Sequence, residues 1–537
     1  MEHSKTYFND INSIMRKFKD VYEELKKEAI AFYKKDDLEE SLTRIVAAST
    51  FAWWYHFGYW CDDELEEIIK NIGVDLLQEK LNIHKNLKIN EKSVLFLTTF
   101  LTNTGGHTEA MKLWMDCVIN SYDFDNIYLI STEVYSKTLL DTHEYGIDER
   151  VKYIKLPSGK ISEKIYHLSK ILINIKPHYI FMFIDPNDII SIAALNFFKT
   201  IANPKIIFFN HSDHTFWLGK NVIDILVEFR TYSVGISRIF RRFKGEIAVM
   251  PLSTKIYSAD EMFYDDILNS LNLPINCKTI SLSIGSPWKF VDDGYWDYFR
   301  TIERILYNAK NHVHLLITKK DKYIESKFSG IQGEIKDRFK IIYNVSNPLP
   351  YYKIADFIIE SFPVIGGTVR LEAMALGKPM IFIRNNKSAL FSVTDVIPPS
   401  YKYVAYGEKD IIEYANIFLQ DEGERKKAGE MLQKHFYENY TPDRICVRIK
   451  DILNGEAKND MPSLEENLTI IDTDEYLCSY DIKYRGVINP YLFLLRIYLS
   501  SKSVSPTKYF KILRRLNIYD FVFVVGKIVS KLRVKYA

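Results

Sequence analysis

Cysteine is scarce: five residues in 537, at positions 61, 117, 277, 446 and 478, with no close pair. That spacing excludes a disulfide scaffold and the paired thiolates of a structural zinc site, and it predicts reduced thiols in a cytoplasmic protein. Glycine (22) and proline (17) are sparse as well, which rules out collagen-like and low-complexity chains. No apolar run reaches the roughly 18 residues of a membrane span, and the amino-terminal stretch carries Glu2, Lys5, Asp10 and Arg16 where a signal peptide has its apolar core. Charge of one sign is also missing. With 71 Lys and Arg against 69 Asp and Glu, the formal net charge is +2, so no overall basic field marks nucleic acid as a partner. What remains is a globular composition, 47% apolar and 26% charged, of a length that suits roughly three or four compact domains.

Hydrophobic periodicity divides the chain. Ile14, Phe18, Val21, Tyr22 and Leu25 recur at helical spacing, as do Leu65, Ile68, Ile69 and Ile72, so residues 1–92 read as a helical domain. Between these helices runs an aromatic stretch: Phe51, Trp53, Trp54, Tyr55, Phe57, Tyr59 and Trp60. It reads either as packing, within the domain or against the next one, or as an acceptor-binding surface.

From Ser93, short apolar strands alternate with helical stretches, the pattern of a parallel sheet covered on both faces. Strands are expected at 94–100, 126–131, 151–156, 178–184, 205–209 and 247–250. After a polar link at 253–278 the alternation restarts, with strands at 279–284, 313–318, 339–343, 357–360 and 379–383. The expected fold class is α/β: two Rossmann-like domains at 93–252 and 279–455, the second closed by helices that break at Tyr440-Thr441-Pro442-Asp443. Residues 456–537 form an extension. Its last part, 501–537, holds nine Lys or Arg and one acid, a net +8, whereas the 62 basic and 68 acidic residues before it give −6. On a helix, Phe521, Val525, Ile528, Val529 and Leu532 share a face beside Lys527, Lys531 and Lys535. That predicts contact with an anionic membrane surface; a helix packed on the carboxy-terminal domain is the alternative.

Open parallel sheets bind ligands beyond the carboxyl ends of their strands, so the loops there carry the candidates. After the first strand, Gly105 and Gly106 remove Cβ atoms ahead of a helix start, and His107 stands at its mouth. A tight turn with a helix-start histidine is the plainer reading. After the strand at 205–209 comes Asn210-His211-Ser212-Asp213-His214-Thr215-Phe216-Trp217. Two imidazoles and a carboxylate this close are costly to bury without a use. Three donors at loop spacing with no distant fourth make a poor zinc signature, so no metal is expected here. A base with an orienting carboxylate, or hydrogen bonds to a hydroxylated substrate, fit better. The third loop reads Ser361-Phe362-Pro363-Val364-Ile365-Gly366-Gly367-Thr368 and leads into a helix closed by Gly377. Gly366 and Gly367 let helix-start amides approach a diphosphate, Thr368 caps the helix or donates to phosphate, and Glu372, one turn on, suits a pair of ribose hydroxyls. In the loop after the strand at 279–284, Gly285 and Ser286 precede Lys289, an ammonium able to neutralise phosphate.

Across about 93–453 this arrangement resembles the GT-B glycosyltransferases, which have two nucleotide-fold domains facing a cleft, acceptor side first. The run Ser346-Asn347-Pro348-Leu349-Pro350-Tyr351-Tyr352 through Pro379 looks most like the O-linked N-acetylglucosamine transferases and the bacterial cytoplasmic N-glycosyltransferases. The likeness implies phosphate binding by Thr368 and Lys289 and ribose binding by Glu372. The helical lead domain is similar to that of the N-glycosyltransferases, while the Gly-Gly-His loop is similar to the lipid-II-forming and plant-type inverting transferases. Two features depart from these families. The glutamate pair of the large retaining family is spaced by seven residues, whereas eleven separate Glu360 from Glu372, and tetratricopeptide repeats are absent.

The resemblance implies an inverting, metal-independent transferase. It would move a sugar from a UDP-sugar substrate, without a further cofactor, to a glycan, lipid-linked or protein acceptor. His107, oriented by Asp213, is the expected base, with His214 in reserve. A nucleotide-sugar 2-epimerase, or an inactive partner subunit that presents acceptor to an active transferase, are the alternatives.

Overall fold

The computed structural model describes residues 11–81, 86–101, 106–132, 146–254, 265–385, 395–456, 470–485 and 490–500. Gly105 and the basic stretch 501–537 lie outside them.

Three helices, Ile11–Tyr33, Leu38–Trp54 and Asp63–Leu81, open the chain. Seven parallel strands follow: β1 (Asn90–Thr98), β2 (Asn126–Ser131), β3 (Val151–Lys155), β4 (Pro177–Phe183), β5 (Lys205–Asn210), β6 (Ile225–Glu228) and β7 (Glu246–Val249). The second sheet contains β8 (Thr279–Ile284), β9 (His312–Thr318), β10 (Phe339–Tyr343), β11 (Phe357–Ile359), β12 (Met380–Ile383) and β13 (Val404–Ala405). The strand orders are β3-β2-β1-β4-β5-β6-β7 and β10-β9-β8-β11-β12-β13. Each sheet therefore reverses direction once, between β1 and β4 and between β8 and β11, and a ligand crevice opens at such a switch point. The strands are near-continuous apolar runs because helices cover both faces. Strands β6 and β13 were not expected from the sequence.

The lead helices lie on the first sheet's helical layer. At the crossing of Asp63–Leu81 with Ile189–Ile201, a Cβ on Gly73 would stand 2.4 Å from the Ala193 carbonyl oxygen, so only glycine allows that approach. The aromatic run is largely interior: Phe51, Tyr55, Phe57 and Trp60 are buried, and Phe493 from the carboxy-terminal extension packs 5.2 Å from Phe51.

The three helices after β13 break where the sequence predicted, at Tyr440 and Thr441. The last of them, Pro442–Asn454, leaves the second sheet and returns to the first domain. There Ile445, Ile449 and Ile452 pack with Trp114 and Val118 of the helix Gly106–Ser121.

A buried polar chain crosses the second sheet. Ser281 Oγ lies 2.8 Å from His312 Nε2 and 2.7 Å from His314 Nδ1, and Tyr298 Oη lies 2.7 Å from His314 Nε2. Burial holds both imidazoles neutral, His312 with a pKa of about 3 and His314 well below the ordinary value of 6.5. Below that ordinary value the unfolded chain takes up protons that the folded chain refuses, so stability falls with falling pH. The expected slope from these two groups is about 1.4 kcal/mol per pH unit for each histidine between roughly pH 6 and 4. Urea unfolding of wild type and of His314→Gln across that interval checks it, because the variant loses one of the two increments.

Candidate functional site

Two constellations occupy the two switch points. At the first, His107 stands in the opening turn of Gly106–Ser121, and its Nε2 donates to the Phe183 carbonyl at the end of β4, at 2.7 Å. A carbonyl only accepts, so the proton sits on Nε2 and Nδ1 is the basic nitrogen of the neutral ring. Burial draws the His107 pKa below its ordinary value, opposed by that carbonyl. The ring 4.4 Å away belongs to His211, the residue after β5. Its Nε2 lies 3.8 Å from Asp185 Oδ1, and its Nδ1 is buried without a hydrogen-bond partner among the described residues. Burial, reinforced by the neighbouring imidazoles, pulls the His211 pKa further down. The loops after β1, β2 and β4 are bound together around Asp188. Thr99 and Thr132 hydroxyls donate to its Oδ2 at 2.8 and 2.5 Å, and the Asp185 amide donates to Thr99 Oγ1 at 2.8 Å.

Asp213 does not orient His107. Its fully buried carboxylate is held by the Arg230 guanidinium on both oxygens and by the Ser233 hydroxyl, with His214 Nδ1 at 3.4 Å. Burial alone would raise its pKa; the charge of Arg230 and the hydrogen bonds from His214 and Arg230 overcome this and keep the group ionised. A carboxylate with no exposure needs such a counter-charge, which makes it a strut for the 211–217 turn. Arg241 supports the same turn by donating to the Asp213 and Thr215 carbonyls, both at 2.7 Å. His214 sits beside Asp213 and is one-third exposed, at 34%. Sequence reasoning named His214 from this loop as the reserve base. His211, directly after an apolar strand, is the one brought against His107.

At the second switch point, Gly285 and Ser286 lead from β8 into the short helical turn Pro287–Phe290. Lys289 Nζ donates to the Ile365 carbonyl at 3.0 Å, and the Val364 amide donates back to the Lys289 carbonyl at 3.4 Å, tying the β8 and β11 loops together. Among the described residues no carboxylate lies within ion-pair distance of this ammonium. The nearby Glu360 is committed to Arg370, whose Nη2 donates at 2.8 Å, and to the Ile383 amide at 2.8 Å. Burial lowers the Lys289 pKa to about 8, opposed by Glu360 and assisted by Arg370, so it stays mostly protonated at pH 7.

Beside it, the helix Thr368–Ala375 begins at Gly367, with Gly366 buried behind. The amides of its first turn have no intrahelical acceptor and point outward. A Cβ on Gly367 would meet Leu252 at 3.2 Å, so the chain crossing between the domains runs alongside this turn. Glu372 Oε2 accepts from Tyr352 at 2.8 Å, which fixes the carboxylate, while burial raises its pKa against that hydrogen bond. Gly377 ends the helix at φ 65°.

The domains meet around these loops. Asp395 of the second accepts from the Thr231 amide and hydroxyl of the first, at 2.6 and 2.9 Å, and Val364 packs against Ile236. No protein-family model and no curated protein matches the sequence. Solved structures do match. A glycosyltransferase from Rickettsia africae superposes with a TM-score of 0.52 at 13% identity over 69% of this chain and 100% of its own. Anabaena Alr3699/HepE in complex with UDP gives 0.51 at 13% identity over 68% and 100%. The lipopolysaccharide outer core galactosyltransferase WaaB gives 0.50 at 15% identity over 68% and 99%. The chain has the GT-B fold. In this GT-B chain the Lys289 and Thr368 loops lie at the second sheet's switch point, and the His107 and His211 pair at the first's. Among the described residues no group of three or more His, Cys, Asp or Glu is arranged to hold a metal ion, and no helix is long and apolar enough to cross a membrane.

Proposed function

We propose that the chain is a glycosyltransferase that moves a sugar from a UDP-sugar to a hydroxylated acceptor, by inversion and without a metal. The observation that carries this reading is Lys289: a half-buried ammonium with no carboxylate partner among the described residues, bonded to the loop whose next helix offers free amides. An ammonium partly withdrawn from water without a counter-charge is unfavourable and is stabilised by an incoming anion. As the diphosphate leaves, charge grows on its oxygens, and Lys289 with the amides of Gly366, Gly367 and Thr368 stabilises it in place. Glu372, held by Tyr352, takes the ribose hydroxyls. His107 Nδ1 removes the acceptor proton, and neutral His211 beside it keeps that nitrogen basic without a competing charge. HepE carries UDP in its structure and WaaB is described as a galactosyltransferase, which agrees with this choice of donor and reaction. The acceptor in this reading is a hydroxylated glycan, a lipid-linked sugar or a protein. The +8 tail at 501–537 suits a protein working at the cytoplasmic face of an anionic membrane.

Calorimetry with UDP tests the donor site. Heat of binding is expected at pH 7, with affinity falling as pH rises through about 8, because Lys289 gives up its proton in the free protein. No heat at millimolar UDP would end the donor assignment. A panel of UDP-sugars with anomer assignment by NMR then tests inversion.

A further inference from the structure

The helix Ile470–Arg485 belongs to neither sheet, yet it touches both donor loops. Tyr480 donates its hydroxyl to the carbonyl of Trp288, the residue before Lys289, and its ring lies 6.4 Å from the Trp288 ring. Tyr476 donates to Asp293 Oδ2 at 2.5 Å and accepts from Asn385 Nδ2 at 2.9 Å. Asn385 is fully buried and also donates to the Pro363 carbonyl at 3.4 Å, within the turn that leads to Gly366 and Thr368. Leu477 joins them in an apolar cluster with Val364 of that turn, Ile236 of the first domain and Trp60 of the lead helices.

The opposite face of the same helix grips the lead domain. Asp474, Cys478 and Asp481 recur at four- and three-residue spacing, which puts them on one side. Asp474 Oδ1 lies 2.6 Å from His56 Nε2, Asp481 accepts from the His56 amide at 3.0 Å, and Cys478 is buried in the core of the lead helices. The β8 loop and the β11 loop are thus each braced from outside their own domain, by two hydroxyls of one helix.

We propose that Tyr476 and Tyr480 are positioning residues for the donor diphosphate, setting the spacing between Lys289 and the Gly366–Thr368 turn and linking donor affinity to the docked lead domain. The proposal rests on the donor reading above. Neither tyrosine touches the donor; each acts through the backbone that carries the ligating groups. Full-length Tyr480→Phe and Tyr476→Phe keep the rings and remove only the hydroxyls. Each is expected to weaken UDP binding by about 3- to 10-fold, the usual worth of one hydrogen bond. The donor KM rises with kcat held, and melting falls only by the loss of one hydrogen bond. Amide hydrogen exchange is expected to quicken over 286–289 and 363–367 while β9 and β12 stay protected. A merely structural role would raise exchange throughout and leave the donor KM at its wild-type value. UDP binding that is present in wild type, lost in Lys289→Ala and intact in both tyrosine variants overturns the proposal alone. No heat with UDP in wild type overturns the donor reading and the proposal with it.

Discussion

His107→Ala is expected to bind UDP within about twofold of wild type and to turn over about 10²- to 10⁴-fold more slowly, the usual contribution of a positioned general base. The side chain lies in the first domain, at the carboxyl end of β1, and makes no contact with the second-sheet loops that hold the diphosphate among the hydrogen bonds described. Binding and chemistry therefore separate in this variant. The pH dependence follows from the direction of its shift. Burial draws the His107 pKa below 6.5, so the ring is already neutral at pH 7 and kcat/KM should be flat there, falling only as pH drops through the lowered value. His211→Phe keeps a ring beside His107, and because His211 is already neutral where His107 titrates, the acid limb should stay at its wild-type position. Single-turnover rates across pH 5 to 8 read both effects, and wild-type turnover in His107→Ala removes the residue from the base role.

Lys289→Ala is expected to weaken UDP binding about 100-fold, or roughly 3 kcal/mol, the scale for losing one side of a buried, hydrogen-bonded charge pair. The fold should survive. Among the described residues this ammonium has no ion pair to lose, only its hydrogen bond to Ile365, and withdrawing it partly from water unpaired is itself unfavourable. The substitution is therefore expected to leave melting unchanged or to raise it while donor affinity falls. Arg370→Ala gives the contrast. It strands a buried Glu360 and should unfold the second domain at lower denaturant. Calorimetry and urea melts on the two variants separate a ligand-binding cation from a structural one.

Much of this was legible in the sequence. The strands at 126–131, 279–284 and 339–343 fall on their predicted residues because a buried parallel strand is an apolar run bounded by turn residues, a pattern that needs no partner to be seen. The break at Tyr440-Thr441-Pro442 was equally plain from proline at a helix start. The Gly366-Gly367-Thr368 turn and Lys289, whose loops the structure ties together, stood out because glycine pairs and a lysine after a first strand are local signals. The arrangement of His211, Asp213 and His214 was not legible. Their separation is one or two residues, and which points inward depends on Arg230 and Ser233, 17 and 20 positions on. Helix Ile470–Arg485 shows its aromatic residues plainly, but nothing in the order of residues says that its carboxylates meet His56, more than 400 positions earlier.

The return of Pro442–Asn454 to the first domain makes the two lobes inseparable as fragments. Excised at residue 254, the amino-terminal part would bare the apolar trough that Ile445, Ile449 and Ile452 now fill beside Trp114 and Val118. Its missing wall is encoded almost 200 residues downstream, so during synthesis the first lobe waits for nearly the whole second lobe before its own interior is sealed. Only complementation in trans by that helix would let it stand alone.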